Sequence, residues 1–113
     1  MKIMIVDDNK RMREVIKSLL SSSKNKIVEC TDGSEAVREF GQSRPDWVVM
    51  DIGMKELDGI SAVREICSAF PKAKIVILTD YGDPFFRREA QEAGACGFVL
   101  KENLHDVISI INH

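Results

Sequence analysis

Ile3-Met4-Ile5-Val6-Asp7-Asp8 opens the chain with four apolar residues running straight into two acids. A short unbroken apolar run of this kind fits a strand buried on both faces, as in a parallel sheet covered by helices. The pattern recurs. Val48-Val49-Met50 ends in Asp51, Ile75-Val76-Ile77-Leu78 ends in Thr79, and Phe98-Val99-Leu100 ends in Lys101. A fifth, weaker run spans Ile27 to Cys30. In an open parallel sheet the carboxyl ends of the strands form the crevice where ligands bind. Three carboxylates, a hydroxyl and an ammonium are therefore expected to converge on one place.

Helical patterns fill the spaces between the runs. Met12, Val15, Ile16, Leu19 and Leu20 share one helical stripe, with Asn9 placed to cap its start. Ser21 to Asn25 reads as a loop. Thr31-Asp32-Gly33-Ser34 is turn chemistry, and Ser34 is the expected cap of a helix carrying Ala36, Val37 and Phe40, bounded by Gly41 and Pro45. The loop Gly53 to Gly59 precedes a helix with Ile60, Val63, Ile66, Cys67 and Phe70 inward, stopped by Pro71. Asp83-Pro84 is a cap followed by proline at the first helical position. Phe86, Ala90 and Ala93 form that helix's buried stripe, and Gly94 is its terminator. Asn103 is the expected cap of a last helix carrying Leu104, Val107, Ile108 and Ile111. Five β-α units in succession predict an α/β fold with a parallel sheet and helices on both faces, and residues 1–113 form one domain.

Composition narrows the function. The 113 residues carry a net charge of −2, with 44% hydrophobic and 30% charged residues. These are ordinary values for a globular domain. There is no general basic field for direct nucleic-acid binding, and no apolar stretch approaches the ~20 residues of a membrane span. Cys30, Cys67 and Cys96 are odd in number and lack CxxC spacing. A disulfide framework or zinc site is not expected, and a cytoplasmic location fits best.

Asp7, Asp8 and Asp51 would repel one another unless a cation neutralises them. Mg²⁺ takes oxygen ligands, and three acids with a backbone carbonyl suit it better than they suit Zn²⁺, since no histidine or cysteine is near in sequence; His105 and His113 read as surface residues. A carboxylate is also a nucleophile toward phosphorus. A lysine across the crevice and a threonine hydroxyl would meet the charge spread over the transferred oxygens. A strand-end Asp, Thr or Lys taken singly is usually a cap or an ordinary surface residue. The ordered set on a β-α framework is not explained that way.

With these residues in view, the chain resembles a response-regulator receiver domain of bacterial two-component signalling. The resemblance rests on Asp7-Asp8, Asp51, Met54 with Asp58-Gly59, Thr79, and Gly97-Phe98-Val99-Leu100-Lys101, and it covers essentially the whole chain. Leu78-Thr79-Asp80-Tyr81 and Glu92-Ala93-Gly94-Ala95-Cys96-Gly97-Phe98 resemble receivers joined to helix-turn-helix output domains. The resemblance implies the flavodoxin-like, doubly wound five-stranded sheet in order 2-1-3-4-5. It implies Asp51 as phosphoacceptor, and Mg²⁺ held by Asp8 and Asp51, by Asp7 mainly through water, and by the Gly53 carbonyl. Thr79 and Lys101 would hold the phosphoryl oxygens, with Phe98 as the aromatic that turns inward on activation. The implied phosphodonor is a sensor histidine kinase or a phosphotransfer domain. The implied readout is a changed face of the fourth helix, fifth strand and fifth helix, acting on a partner or on a helix-turn-helix output domain outside this chain. Such a domain catalyses its own phosphorylation and dephosphorylation, yet serves as a switch rather than as an enzyme. A phosphorylation-linked homodimer also follows from the resemblance, with Phe85, expected to point outward, as a contact.

Lys55 and Glu102 stand where the family commonly has proline, and Asp80 stands where a small residue is frequent. Asp80 is expected to add negative charge at the mouth of the site. Gly53 and Tyr81 occupy positions that tune hydrolysis in the family. Three other readings compete. A pseudo-receiver that docks without phosphorylation is opposed by the intact set Asp7, Asp8, Asp51, Thr79 and Lys101. A small Mg²⁺-dependent phosphatase is opposed by the missing glycine-rich phosphate loop. A flavin carrier is opposed by Asp7-Asp8, which would repel the flavin phosphate.

Overall fold

Side chains alternate along each strand, and in the three central strands both sets are buried, so the sheet carries two cores. The computed structural model describes residues 1–21, 24–52, 58–80 and 82–112. Within them, five parallel strands β1 (Lys2–Val6), β2 (Lys26–Cys30), β3 (Trp47–Asp51), β4 (Ile75–Thr79) and β5 (Gly97–Leu100) form one sheet in the order β2-β1-β3-β4-β5. The helices are α1 (Lys10–Leu20), α2 (Gly33–Ser43), α3 (Gly59–Ala69), α4 (Pro84–Ala93) and α5 (His105–Ile111). On one face Met4, Val6, Val48, Met50, Ile75 and Ile77 pack against the inward residues of α2, α3 and α4. On the other, Ile3, Ile5, Val49, Val76, Leu78 and Val99 pack against Ile16 and Leu20 of α1 and Val107 and Ile111 of α5. Burying each such side chain contributes roughly 1.5–3 kcal/mol. The expected doubly wound fold and strand order are the observed ones.

Register places the functional ends. Val48 lies opposite Ile75, Asp51 opposite Leu78 and Thr79 opposite Leu100. The strand order reverses between β1 and β3, so the crevice opens where Asp7, Asp8 and Asp51 stand. Among the described residues, no helix is long and apolar enough to cross a membrane.

Local chemistry sets the helix ends, not always through the expected residue. Asn9 caps α1 by accepting from Met12 N at 3.1 Å, and Asp83 caps α4 ahead of Pro84. The cap of α2 is Asp32, which accepts from Glu35 N at 2.8 Å, rather than Ser34. The backbone leaves the extended region two residues earlier than the sequence suggested, and Ser34 falls inside the first turn. Gly41 does not end α2 either. The helix runs to Ser43 and terminates on Arg44, held at φ 47° and ψ 60°. For a residue with a Cβ this left-handed conformation costs about 1–2 kcal/mol. Gly94 ends α4 at φ 116° as expected. Asn103 caps nothing: Lys101–Asn103 is a 3-10 turn, and α5 begins at His105 without a side-chain cap. Val15, expected on the inward stripe of α1, is 43% exposed. The three cysteines are free, with Cys30 buried and Cys96 exposed. Burial, aided by the charges of Glu35, Glu39 and Asp32, pushes the Cys30 thiol up to about 12.

Candidate functional site

Asp7 continues the β1 ladder, donating its N–H to Cys30 O at 3.1 Å. Its Oδ1 accepts from Asn9 N at 2.9 Å, a turn typical of aspartate. Its carbonyl accepts from Arg13 Nη1 at 2.8 Å, while Arg13 is paired with Glu29 on β2. Backbone and carboxylate are thus both clamped, and Asp7 is 1% exposed. Its Oδ2 is buried without a hydrogen-bond partner. The Lys101 Nζ lies 3.5 Å away, close enough for Coulomb attraction but outside hydrogen-bond geometry. An unsatisfied buried carboxylate oxygen costs several kcal/mol in a dry site, so such an atom marks a place for a cation.

Asp51 ends β3 and is largely buried. One ligand atom each from Asp7, Asp8 and Asp51 fall within 4.8 Å of one another. Burial first, then the charges of Asp7 and Asp8, hold the Asp51 carboxyl above its ordinary value, and Lys101 opposes them. Lys101 follows β5 directly, with Nζ 3.4 Å from Asp51 Oδ1. Burial alone would lower Lys101, but Asp51, Asp7 and Asp80 outweigh it and the ammonium is held above its ordinary value. Lys101 thus spans the crevice from β5 to β3 and β1. Thr79 ends the strand between them and is 1% exposed. An open octahedral ion fits this set by donor chemistry: oxygen donors only, two largely buried and one, Asp8, exposed to water.

The structure brings Asp7, Asp8, Asp51 and Lys101 together and buries Thr79 on the strand between. Gly53 and Tyr81 lie outside the described residues, as do Met54, Lys55 and His113. Phe98 is partly buried, with the Arg87 guanidinium 4.9 Å above its ring. Phe85 is 59% exposed, as expected.

One supporting residue was not singled out from sequence, and two were named there without their contacts. Arg13 clamps Asp7 across one helical turn, and nothing in a lone surface-type arginine announces that. Asp80 Oδ2 lies 4.0 Å from Lys101 Nζ, a third carboxylate on the same ammonium. Gly59 had only the signal of a glycine after a loop. A Cβ there would overlap the Asp51 carbonyl oxygen and approach Asp51 C at 2.8 Å and Ile52 Cα at 2.9 Å.

Comparison with known proteins agrees with this geometry. The family model described as "Response regulator receiver domain" matches residues 3–112. The chain is 38% identical over 101 residues to the chemotaxis protein CheY of Thermotoga maritima, covering 88% of this chain and 84% of that one. It is 36% identical to the transcriptional regulatory protein YhcZ of Bacillus subtilis, covering 90% of this chain but only 49% of that protein. The chain thus spans about half the length of that regulator. Among solved structures, a LuxR-family two-component response regulator from Aurantimonas superposes with TM-score 0.92 at 34% identity, over 98% of this chain and 81% of that one. The response regulator domain of Thermotoga maritima CheB superposes with TM-score 0.90 at 27% identity, over 99% and 93%. Relatives named as chemotaxis proteins and as transcriptional regulators are both present, and the chain belongs to the response regulator receiver domain family of two-component signalling.

Proposed function

We propose that this chain is a phosphorylation-activated switch in which Asp51 accepts a phosphoryl group from a phosphohistidine of a sensor histidine kinase or phosphotransfer domain. The observation that carries the reading is Lys101 Nζ, set within 3.5 Å of both Asp51 and Asp7 on the rim of a three-carboxylate cluster. An Asp51 carboxylate oxygen attacks phosphorus, and the phosphorus–nitrogen bond to the donor imidazole breaks with its electron pair leaving on the imidazole. Asp8 and Asp51 would hold Mg²⁺ directly and Asp7 mainly through water, with the Gly53 carbonyl as a further oxygen donor. When bound, Mg²⁺ neutralises charge on the transferred oxygens. Lys101 supplies the remaining positive charge, exchanging its carboxylate contacts for a phosphoryl oxygen. Thr79 donates its hydroxyl to another. Water attack on phosphorus later returns the Asp51 carboxylate and inorganic phosphate.

The switched face is that of α4, β5 and α5. Movement of Thr79 toward the phosphoryl group opens space for Phe98, whose ring now carries Arg87. Amide NMR with Mg²⁺ and beryllofluoride, a phosphoryl mimic, tests this. Shifts at Thr79, Phe98 and Lys101 that spread along α4 are expected, all absent in Asp51→Asn. Shifts confined to the metal cluster would sink the switch.

Asp80 is a brake on this site. It is 70% exposed and shares Lys101. Exposed ion pairs are worth ~0.2–1 kcal/mol, so Asp80→Ala is expected to speed both phosphorylation by acetyl phosphate and hydrolysis about two- to fivefold. Unchanged rates in stopped-flow assays would remove Asp80 from the account. Phe85 is the contact of an activated homodimer, with its ring edge-on to Phe86 at 5.6 Å. Sedimentation with beryllofluoride is expected to give dimer for the parent and about tenfold weaker association for Phe85→Ala. Undiminished dimer in the variant would contradict that role.

A further inference from the structure

A second concavity lies at the opposite end of the sheet from Asp51. It sits before the amino ends of β3 and β4, between the carboxyl ends of α2 and α3, and encloses about 650 Å³. That volume is within the ~300–1,000 Å³ usual for small-molecule sites. Its floor is apolar: Phe40 and Phe70, with ring centroids 4.9 Å apart and tilted by 44°, flanked by Pro45 and Pro71. Its walls are cationic: Arg44, Lys72 and Lys74. Among the described residues, none of these three has a carboxylate within 4 Å. Asp46, an acid in the lining, is engaged elsewhere, its Oδ2 accepting from Lys2 N at 2.7 Å. A chain of net charge −2 thus gathers three cations that lack a carboxylate partner among the described residues, Arg44 lying over Phe70 and Lys74 Nζ 5.2 Å from the Trp47 ring centroid.

Arg44 is the telling residue. It occupies the left-handed position after α2 that glycine would fill without strain, yet it carries a long cationic side chain. Its guanidinium lies 4.3 Å over the Phe70 ring. The ring contact holds the guanidinium at the cleft, and a guanidinium can grip an anion in two-point fashion. Phe40, 4% exposed, backs the Phe70 ring from the core side.

We propose that this cleft binds a small aromatic anion, a planar ring bearing a carboxylate, sulfonate or phosphate group. The ring lies against the partly exposed Phe70 and Pro71, and the charged group meets Arg44, with Lys72 and Lys74 completing the field. A β-strand of five residues separates the cleft from Asp51, roughly 15 Å. Occupancy therefore neither needs nor competes with the ion at the carboxylate cluster, and this assignment stands or falls apart from the phosphoryl reading.

The probe is anilinonaphthalene sulfonate, titrated into isotopically labelled full chain and followed by amide NMR. Saturable shifts confined to residues 40–46 and 69–74 are expected, unchanged by Mg²⁺ and retained in Asp51→Asn. The uncharged parent amine, phenylnaphthylamine, is expected to bind about tenfold or more weakly, as loss of a charge-assisted contact predicts. Arg44→Gly should cause a similar loss while thermal stability is kept or raised, because glycine favours that backbone. This variant cannot fail merely by unfolding. Shifts centred elsewhere, equal binding of the neutral amine, or an unaltered Arg44→Gly would each overturn the proposal. So would tighter binding of a Trp-containing acidic peptide at the same residues, which would make the cleft a protein-docking site.

Discussion

Gly59→Ala is expected to destabilise the chain by about 3 kcal/mol or more, or to prevent folding at ordinary temperature. Most overpacking substitutions cost ~1–3 kcal/mol because a side chain can swing away. Here the added methyl would meet main chain alone: the Asp51 carbonyl oxygen, Asp51 C and Ile52 Cα. None of these has a rotamer to change. The carbonyl belongs to the last residue of a central strand, and Gly59 N itself donates to Ile52 O at 2.9 Å. Relief requires moving the start of α3 or the end of β3, and either moves Asp51. Urea unfolding should therefore show a large loss of midpoint, and any folded fraction should take up phosphoryl group poorly. A variant within about 0.5 kcal/mol of the parent would show that the approach of α3 to Asp51 is looser than described.

Asp51→Asn is expected to act the other way on stability. The folded carboxyl is held above its ordinary value, by burial and then by Asp7 and Asp8. A group of that kind favours the fold in its protonated form. Its contribution is fully present below the unfolded value, about 3.9, and is lost as pH rises through the raised folded value. At neutral pH the ionised Asp51 therefore opposes folding, and the neutral amide does not. Metal-free Asp51→Asn should be more stable than the parent at pH 7 by about 0.5–2 kcal/mol. The gain should shrink as pH falls through the folded value and nearly vanish near the unfolded one. Mg²⁺ should raise the parent's melting temperature more than the variant's, since binding to the native state stabilises by mass action and the variant has lost a carboxylate ligand. A variant less stable than the parent throughout would mean that the Lys101–Asp51 attraction outweighs burial and repulsion.

The two predictions show what was and was not legible in the sequence. Strand identity was legible because a strand buried on both faces has no polar positions to blur it, as in Ile75 to Leu78. Once those runs were placed, the convergence of Asp7, Asp8, Asp51 and Lys101 followed, because residues at strand ends in a parallel sheet have little freedom in where they go. Helix ends were less legible. Asp32 and Ser34 are both good caps two residues apart, and only the backbone path chooses Asp32. Gly41 looked like a terminator, yet the helix passes through it and stops on Arg44 in a conformation that arginine rarely takes. Nothing in Arg44-Pro45 signals that. Long side chains were least legible. Arg13 acts through reach rather than through spacing in the chain, whereas the charge of Asp80 at the mouth was legible and only its Lys101 partner was not. Their roles depend on partners 16 and 21 residues away, Glu29 and Lys101.

The position of Asp51 is fixed by its surroundings. Asp51 is anchored by a rigid central strand and by the close approach of Gly59, so its carboxylate cannot retreat from its acidic neighbours. The repulsion is offset by Lys101 alone among the described cations within ion-pair distance. The resulting site is short of positive charge and contains an unsatisfied buried oxygen. In the proposed function, an added cation and an added phosphoryl group would be mutually favourable, and movement of Lys101 and Thr79 toward the phosphoryl group would couple the site to β4 and β5.

Intact mass after incubation with Mg²⁺ and acetyl phosphate, beside Asp51→Asn, tests the central claim most directly. The account predicts a gain of one phosphoryl group in the parent, none in the variant, and none in the parent when EDTA is present. No gain in the parent, or an equal gain in both proteins, would contradict it.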